Sequence, residues 1–112
     1  MEATYVKDVS HEFKGQTLLY KLSHPYIVDP GLFPDPDALP FAVRYVVVSA
    51  VNTYSGPETY VFPADEHGNV LDWGELPGSF QGDLNHDVAL TGFLLACQEI
   101  HQESIYNKGR KE

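Results

Sequence analysis

Lysine and arginine are absent from residues 45–107, the longest base-free stretch of the chain. This stretch holds nine of the sixteen acidic residues, and the whole chain has a net charge of −9. A surface that binds nucleic-acid phosphates needs clustered Lys and Arg side chains, so we expect no direct nucleic-acid binding. Binding to an anionic membrane surface is disfavoured for the same reason.

Cysteine and long apolar runs are also scarce. Cys97 is the only cysteine, so the chain cannot form an intrachain disulfide and does not point to an oxidising compartment. No uninterrupted apolar run, including those at 45–48 and 93–97, exceeds five residues, far short of the roughly 20 residues that span a bilayer. The first residues lack a basic segment followed by an apolar one, which a secretory signal would have. We therefore expect a cytoplasmic protein.

Catalytic and ligand-binding motifs are missing as well. The chain has no glycine-rich phosphate loop and no nucleophile elbow. Cys97 and His101 are four residues apart on a predicted helix and could form half of a metal site or a nucleophile and its base. A cysteine in the middle of a helix is more often simply buried, so we discount this pair. An EF-hand beginning at Asp65 fails because its twelfth position is Leu76 instead of Glu. We expect a non-enzymatic protein without a metal or cofactor.

The 112 residues, of which 43% are hydrophobic, are typical of one globular domain. Residues 4–27 predict a hairpin with a two-residue turn at Lys14 and Gly15. Residues 43–52 have apolar side chains on both faces and predict a central strand. Residues 58–62 predict a return strand whose pairing ends at Pro63, and residues 70–73 predict a short further strand.

Two loops and one helix complete the predicted fold. Residues 29–40 contain four prolines and three aspartates and predict a surface loop, whereas 74–82 predict a glycine-rich crossing from sheet to helix. Asn85 predicts the N-cap of a C-terminal helix, followed by an apolar stripe and a frayed basic tail at 108–112. The predicted fold is α+β, a small antiparallel sheet of four to five strands with one helix packed on a face. The predicted stripe consists of Leu90, Phe93 or Leu94, Cys97, Ile100 and Ile105.

The loop at 72–80, which overlaps the crossing segment, is the candidate partner-binding site. It combines the only tryptophan with other apolar side chains and flanking acids, a mixture typical of aromatic anchors with an acidic rim. The alternative is that Trp73 and Phe80 turn inward and cap the core between sheet and helix. The candidate residues are Asp72, Trp73, Glu75, Leu76 and Phe80.

Three stretches suggest a family: YVVVSAV from Tyr45, ETYVFPADEHGNV from Glu58 and DWGELPGS from Asp72. Over roughly residues 45–90 they resemble small proteins of unassigned activity encoded by bacteriophages of actinobacteria. The resemblance implies a phage protein that acts in the bacterial host cytoplasm, and it carries no functional residue. We expect an acidic module that binds or modulates a host protein. The alternatives are an acidic nucleic-acid mimic and a virion structural component, and self-association is left open.

Overall fold

The computed structural model describes residues 1–10, 15–28, 41–71 and 74–109, without the side chains of Val28, Phe41 and 98–109. Five strands form one antiparallel sheet in the order β1-β2-β3-β4-β5, and one C-terminal helix follows. The predicted α+β class is confirmed. The predicted loop at 29–40 lies outside the described residues. The elements are β1 (Ala3–Asp8), β2 (Gln16–Val28), β3 (Phe41–Thr53), β4 (Gly56–Ala64), β5 (Phe80–Gln81) and α1 (His86–Gly109).

Strand β3 lies at the centre of the sheet and pairs with β2 and β4, as its apolar faces predict. Val46 and Val48 face the helix-covered side, whereas Val47 faces the opposite side, and all three are fully buried. The sheet therefore has two apolar clusters. The helix-side cluster includes Phe93, and the opposite cluster consists of Val9, Leu19, Val47, Phe62 and Ala64.

The prediction that Pro63 ends the pairing of β4 is wrong. Pro63 pairs with Val46, and β4 continues to Ala64. The Pro63 carbonyl accepts a hydrogen bond from the Leu71 N–H at 2.9 Å, on the side away from β3. The ring nitrogen points to that same side, so proline removes no donor from the β3–β4 ladder. Pro57 has the same orientation, because its carbonyl accepts from the Gly82 N–H at 2.8 Å.

The N-terminal hairpin is confirmed, but its turn is not the predicted one. Strand β1 ends at Asp8, which pairs with Leu18, so the connection is much longer than two residues. The Asp8 carboxylate accepts from the Ser10 N–H and hydroxyl, which turns the chain out of the strand. Lys14 lies outside the described residues.

Helix α1 begins as its sequence predicts. The Asn85 side-chain oxygen accepts from the Val88 N–H at 3.1 Å, which is N-cap geometry. Among its described side chains, 86–97, the buried ones are Ala89, Phe93 and Cys97, which are spaced four apart on one helical face. The helix runs to Gly109, two residues into the predicted basic tail, and 110–112 lie outside the described residues. Of the predicted strand at 70–73, Val70 forms a bridge with Ala64, and residues 72–73 lie outside the described chain; strand β5 forms in the predicted loop.

Candidate partner-binding surface

The predicted site residues do not form one exposed group within the described chain. Asp72 and Trp73 lie outside the described residues. Glu75 is exposed, but Leu76 is only 7% exposed and belongs to the helix-side cluster. Phe80 is half-buried and packs against the same cluster, as the inward alternative predicts. Leu76 and most of Phe80 therefore contribute to the core and leave little apolar surface for a partner.

Glycine lets the crossing segment lie directly on the helix. Gly78 has a φ of 101°, and a Cβ atom there would lie 2.3 Å from the Ala89 carbonyl oxygen and 2.7 Å from the Phe93 nitrogen. A Cβ at Gly92 would in turn lie 3.2 Å from the Gly78 Cα. Gly92, which lowers intrinsic helix propensity, thus has a packing role. The contact between Gly78 and Gly92 allows the two backbones to touch.

Hydrogen bonds attach the same segment to the outer edge of β4. The Leu76 N–H donates to the Val61 carbonyl at 2.8 Å, and the Val61 N–H donates to the Ser79 hydroxyl at 2.9 Å. Nearer the helix, the buried Thr59 hydroxyl accepts from the Asn85 N–H at 3.1 Å and donates to the Asp83 carbonyl at 2.9 Å. Leu71 and the described residues 74–85 thereby take the place of a full neighbouring strand.

Apolar side chains are instead exposed on the helix and just before it. Leu84 is 42% exposed, and Val88 and Leu95 are each 55% exposed. Val88 and Leu95 are seven residues apart, two helical turns, so they lie on one face. Their face is opposite the Ala89 and Phe93 side, which packs on the sheet. We call Leu84, Val88 and Leu95 the helix apolar surface.

Sequence reasoning missed this surface because it sought exposed apolar side chains only in the loop at 72–80. The spacing of residues along the helix could have predicted this surface. Val88 and Leu95 fall outside the stripe that contains Phe93 and Cys97, so they had to project elsewhere.

The described acids do not form one row. Asp83 and Asp87 are exposed beside the helix apolar surface, whereas Asp65 and Glu66 follow the opposite end of β4. The nine residues of β4 span about 26 Å at about 3.3 Å per residue. Glu58 is buried at 6% exposure. Glu75, next to Leu76 near the middle of β4, is also exposed, so the negative charge is spread along the sheet.

Asp65 organises the turn after β4. Its carboxylate accepts from the His67 N–H at 2.9 Å, the Asn69 N–H at 2.9 Å and the Asn69 side-chain amide at 3.0 Å. Desolvation raises the pKa of Asp65, but these hydrogen bonds and the nearby His67 together hold it below its ordinary value. Gly68 has a φ of 90°, as the turn predicts, and its backbone lies against Val9. The turn thus covers part of the opposite cluster.

Cys97 is buried, and burial raises the pKa of its thiol, although the positive N-terminal amine partly offsets that rise. The His101 side chain is outside the described part, so the expectation that Cys97 and His101 form no metal or catalytic site stays a prediction. Among the described residues, no three His, Cys, Asp or Glu side chains are grouped closely enough to hold a metal ion. Across those residues, no helix is long and apolar enough to cross a membrane.

Comparison with protein-family models, curated proteins and solved structures found no match to this chain.

Proposed function

We propose that this protein is a non-enzymatic acidic interaction module, encoded by a phage, that binds a host protein through the helix apolar surface. The observation that carries the proposal is the exposure of Leu84, Val88 and Leu95 next to the exposed acids Asp83 and Asp87. Apolar anchors with a charged rim are typical of protein-protein contacts. The fitting partner has an apolar groove bordered by Lys or Arg side chains.

Charge supports a basic partner. Because residues 45–107 contain no lysine or arginine, the rim has no positive side chain to reduce its attraction for a basic surface. Binding should therefore weaken as salt is added, since ions screen exposed charges beyond about 10 Å at 0.1 M.

The distribution of acids favours this function over a nucleic-acid mimic. A mimic needs carboxylates in a phosphate-like row on one surface. Here the described acids of residues 45–107 are spread over the helix start, the turn at Asp65 and the crossing segment at Glu75, and Glu58 is buried. The helix apolar surface also has no counterpart in the phosphate backbone of a nucleic acid.

The test is affinity capture from an actinobacterial lysate followed by mass spectrometry. A Val88→Glu, Leu95→Glu double variant should fold normally, because both side chains are exposed, and should lose the captured protein. Ile27→Glu is the matched control, since Ile27 is an equally exposed apolar residue on β2. Equal recovery of the same protein by wild type and the double variant would contradict the proposal, as would failure of the folded wild type to capture any protein.

A further inference from the structure

The free edge of the sheet lies on β1, and its backbone orientation follows from two hydrogen bonds. The Ser23 N–H donates to the Glu2 carbonyl at 2.8 Å, so the backbone groups of Glu2 point toward β2. Backbone N–H and C=O groups point to alternate sides along a strand. The groups of Thr4 therefore point toward β2, and the groups of Ala3 and Tyr5 point away from it. Within the described parts of the chain, the outward groups of Ala3 and Tyr5 make no hydrogen bond.

Side chains leave this edge open to a neighbour. Residues 4–8 are all exposed, and Tyr5 is 56% exposed even though its ring packs edge-on against Tyr20 at 5.9 Å. A register shift at Val6, between Tyr5 and Lys7, interrupts the ladder. The regular part of the free edge is therefore short, and it is centred on Thr4.

We infer that β1 pairs with β1 of a second copy of this chain, antiparallel and with Thr4 opposite Thr4. In this register the outward-facing Ala3 of one copy lies opposite the outward-facing Tyr5 of the other, twice by symmetry. The two copies exchange four backbone hydrogen bonds and form one continuous sheet. An extended segment of another protein would satisfy the same backbone groups, but three features favour a second copy.

The first feature is size complementarity. Ala3 and Tyr5 are on the helix-covered face, because they pair with Leu22 and Tyr20 of the helix-side cluster. The large Tyr5 ring of each copy thus lies over the small Ala3 of the other. The second feature is the central pair, because threonines directly opposite each other in a sheet interact favourably.

The third feature is charge. In this register Glu2 of one copy lies opposite Val6 of the other copy. It is therefore next to that copy's Lys7. Lys7 shares a face with Glu2, because it pairs with Leu19 of the opposite cluster. The pairing thus brings unlike charges together twice. It also uses the N-terminal strand instead of the base-free residues 45–107, which limits repulsion between two acidic chains.

The dimer is weak because so short a pairing covers less than the roughly 1,200 Å² of a stable interface. A dissociation constant of roughly 10–1,000 µM is therefore expected. The dimer is independent of the proposed partner surface, which lies on the helix.

Cross-linking tests the register. Opposite residues of a non-hydrogen-bonded pair have Cα atoms about 4.5 Å apart, within the roughly 4.4–6.8 Å that a disulfide spans. Thr4→Cys should form a covalent dimer under mild oxidation. Ser55→Cys, in the exposed turn between β3 and β4, is the control for random collision, and wild type shows the background from buried Cys97. Cross-linking of Thr4→Cys no faster than Ser55→Cys would overturn the inference.

Sedimentation tests the dimer without an introduced thiol. Wild type should show a concentration-dependent shift from monomer to dimer. Ala3→Pro removes an outward N–H from each copy, and with it two of the four shared hydrogen bonds, so it should weaken the dimer at least tenfold while thermal unfolding stays near that of wild type. A wild type that remains monomeric at 1 mM (roughly the upper limit above), or a folded Ala3→Pro variant that dimerises equally well, would overturn the inference.

Discussion

The two edges of the sheet differ in how their outward backbone groups are used. On β4, the outward groups of Val61 are bonded by residues of the crossing segment, and two prolines remove outward donors. On β1, the outward groups of Ala3 and Tyr5 have no partner within the described chain. The difference shows that this fold protects one edge with the two-residue strand β5 and with side-chain and backbone bonds from the described residues around it, and leaves the other to a bulge and charged side chains.

The largest expected effect is at the contact between the crossing segment and the helix. Gly78→Ala places a Cβ 2.3 Å from the Ala89 carbonyl, at a φ that L residues rarely adopt, so we expect a loss of about 3 kcal/mol or more in the free energy of unfolding. Urea denaturation followed by circular dichroism measures it. Gly82→Ala is the matched control, because Gly82 has a φ of 106° but open space around it, and should cost only about 1 kcal/mol. Equal losses for the two variants would show that the segment does not pack this closely.

Proline substitution distinguishes the two sides of β1. Thr4→Pro removes an N–H that faces β2 and should cost about 3 kcal/mol, whereas Ala3→Pro removes an outward N–H and should cost less than about 1 kcal/mol. Thermal unfolding at low protein concentration, where the monomer dominates, provides the comparison. Should Ala3→Pro prove the more damaging change, the assigned backbone orientation would be wrong.

The next effect in size concerns the attachment of the helix start to β4. Thr59→Val keeps the shape of this fully buried side chain but removes the hydroxyl that bonds the Asn85 N–H and the Asp83 carbonyl. We expect a loss of about 1–3 kcal/mol because both backbone groups lose a partner. Thr59→Ser retains the hydroxyl and controls for it in the same denaturation experiment. A loss for Val no larger than the loss for Ser would mean that water replaces the hydroxyl.

The smallest effect is the pH dependence of the stability that Asp65 contributes through the turn after β4. The pKa of Asp65 is lower in the folded state, so its contribution to stability is complete above its unfolded value, about 3.8, and is lost as pH falls through the folded value. Asp65→Asn should therefore differ from wild type most at neutral pH, and the two should converge as the pH falls toward 2. Thermal unfolding between pH 7 and pH 2 measures this difference. A gap that stays constant with pH would show that the charge of Asp65 has no role in the turn.

The parts of the fold that depend on neighbouring residues could be predicted from the sequence. The Asn85 cap, the turn with Gly68 and the two-sided β3 all follow from local rules of hydrogen bonding and side-chain alternation. The errors involve contacts between distant residues. Pro63 can stay in β4 because of the direction in which its nitrogen points, and the position of the first turn depends on a bulge at Val6 and an Asp8 side-chain bond.

The candidate site was only partly predictable for the same reason. Leu76 and Phe80 are residue types that often anchor a binding partner, but the contact between Gly78 and Gly92 holds their segment against the core. That contact joins glycines from two different segments, and no local pattern in either segment signals it. The helix apolar surface could have been predicted, because Val88 and Leu95 lie outside the buried stripe of the helix.

Pro57 and Pro63 have a consequence for how far self-association could extend. A polymer chain grows only when each unit has two reactive ends, and a unit with one reactive end stops growth after a single addition. Among the described residues, the outer β4 edge is closed by proline, by β5 and by bonds from residues 71, 76, 79 and 82, which leaves β1 as the reactive end that we infer. Pairing through that end gives a closed pair of copies, and the same sheet cannot continue into a fibre.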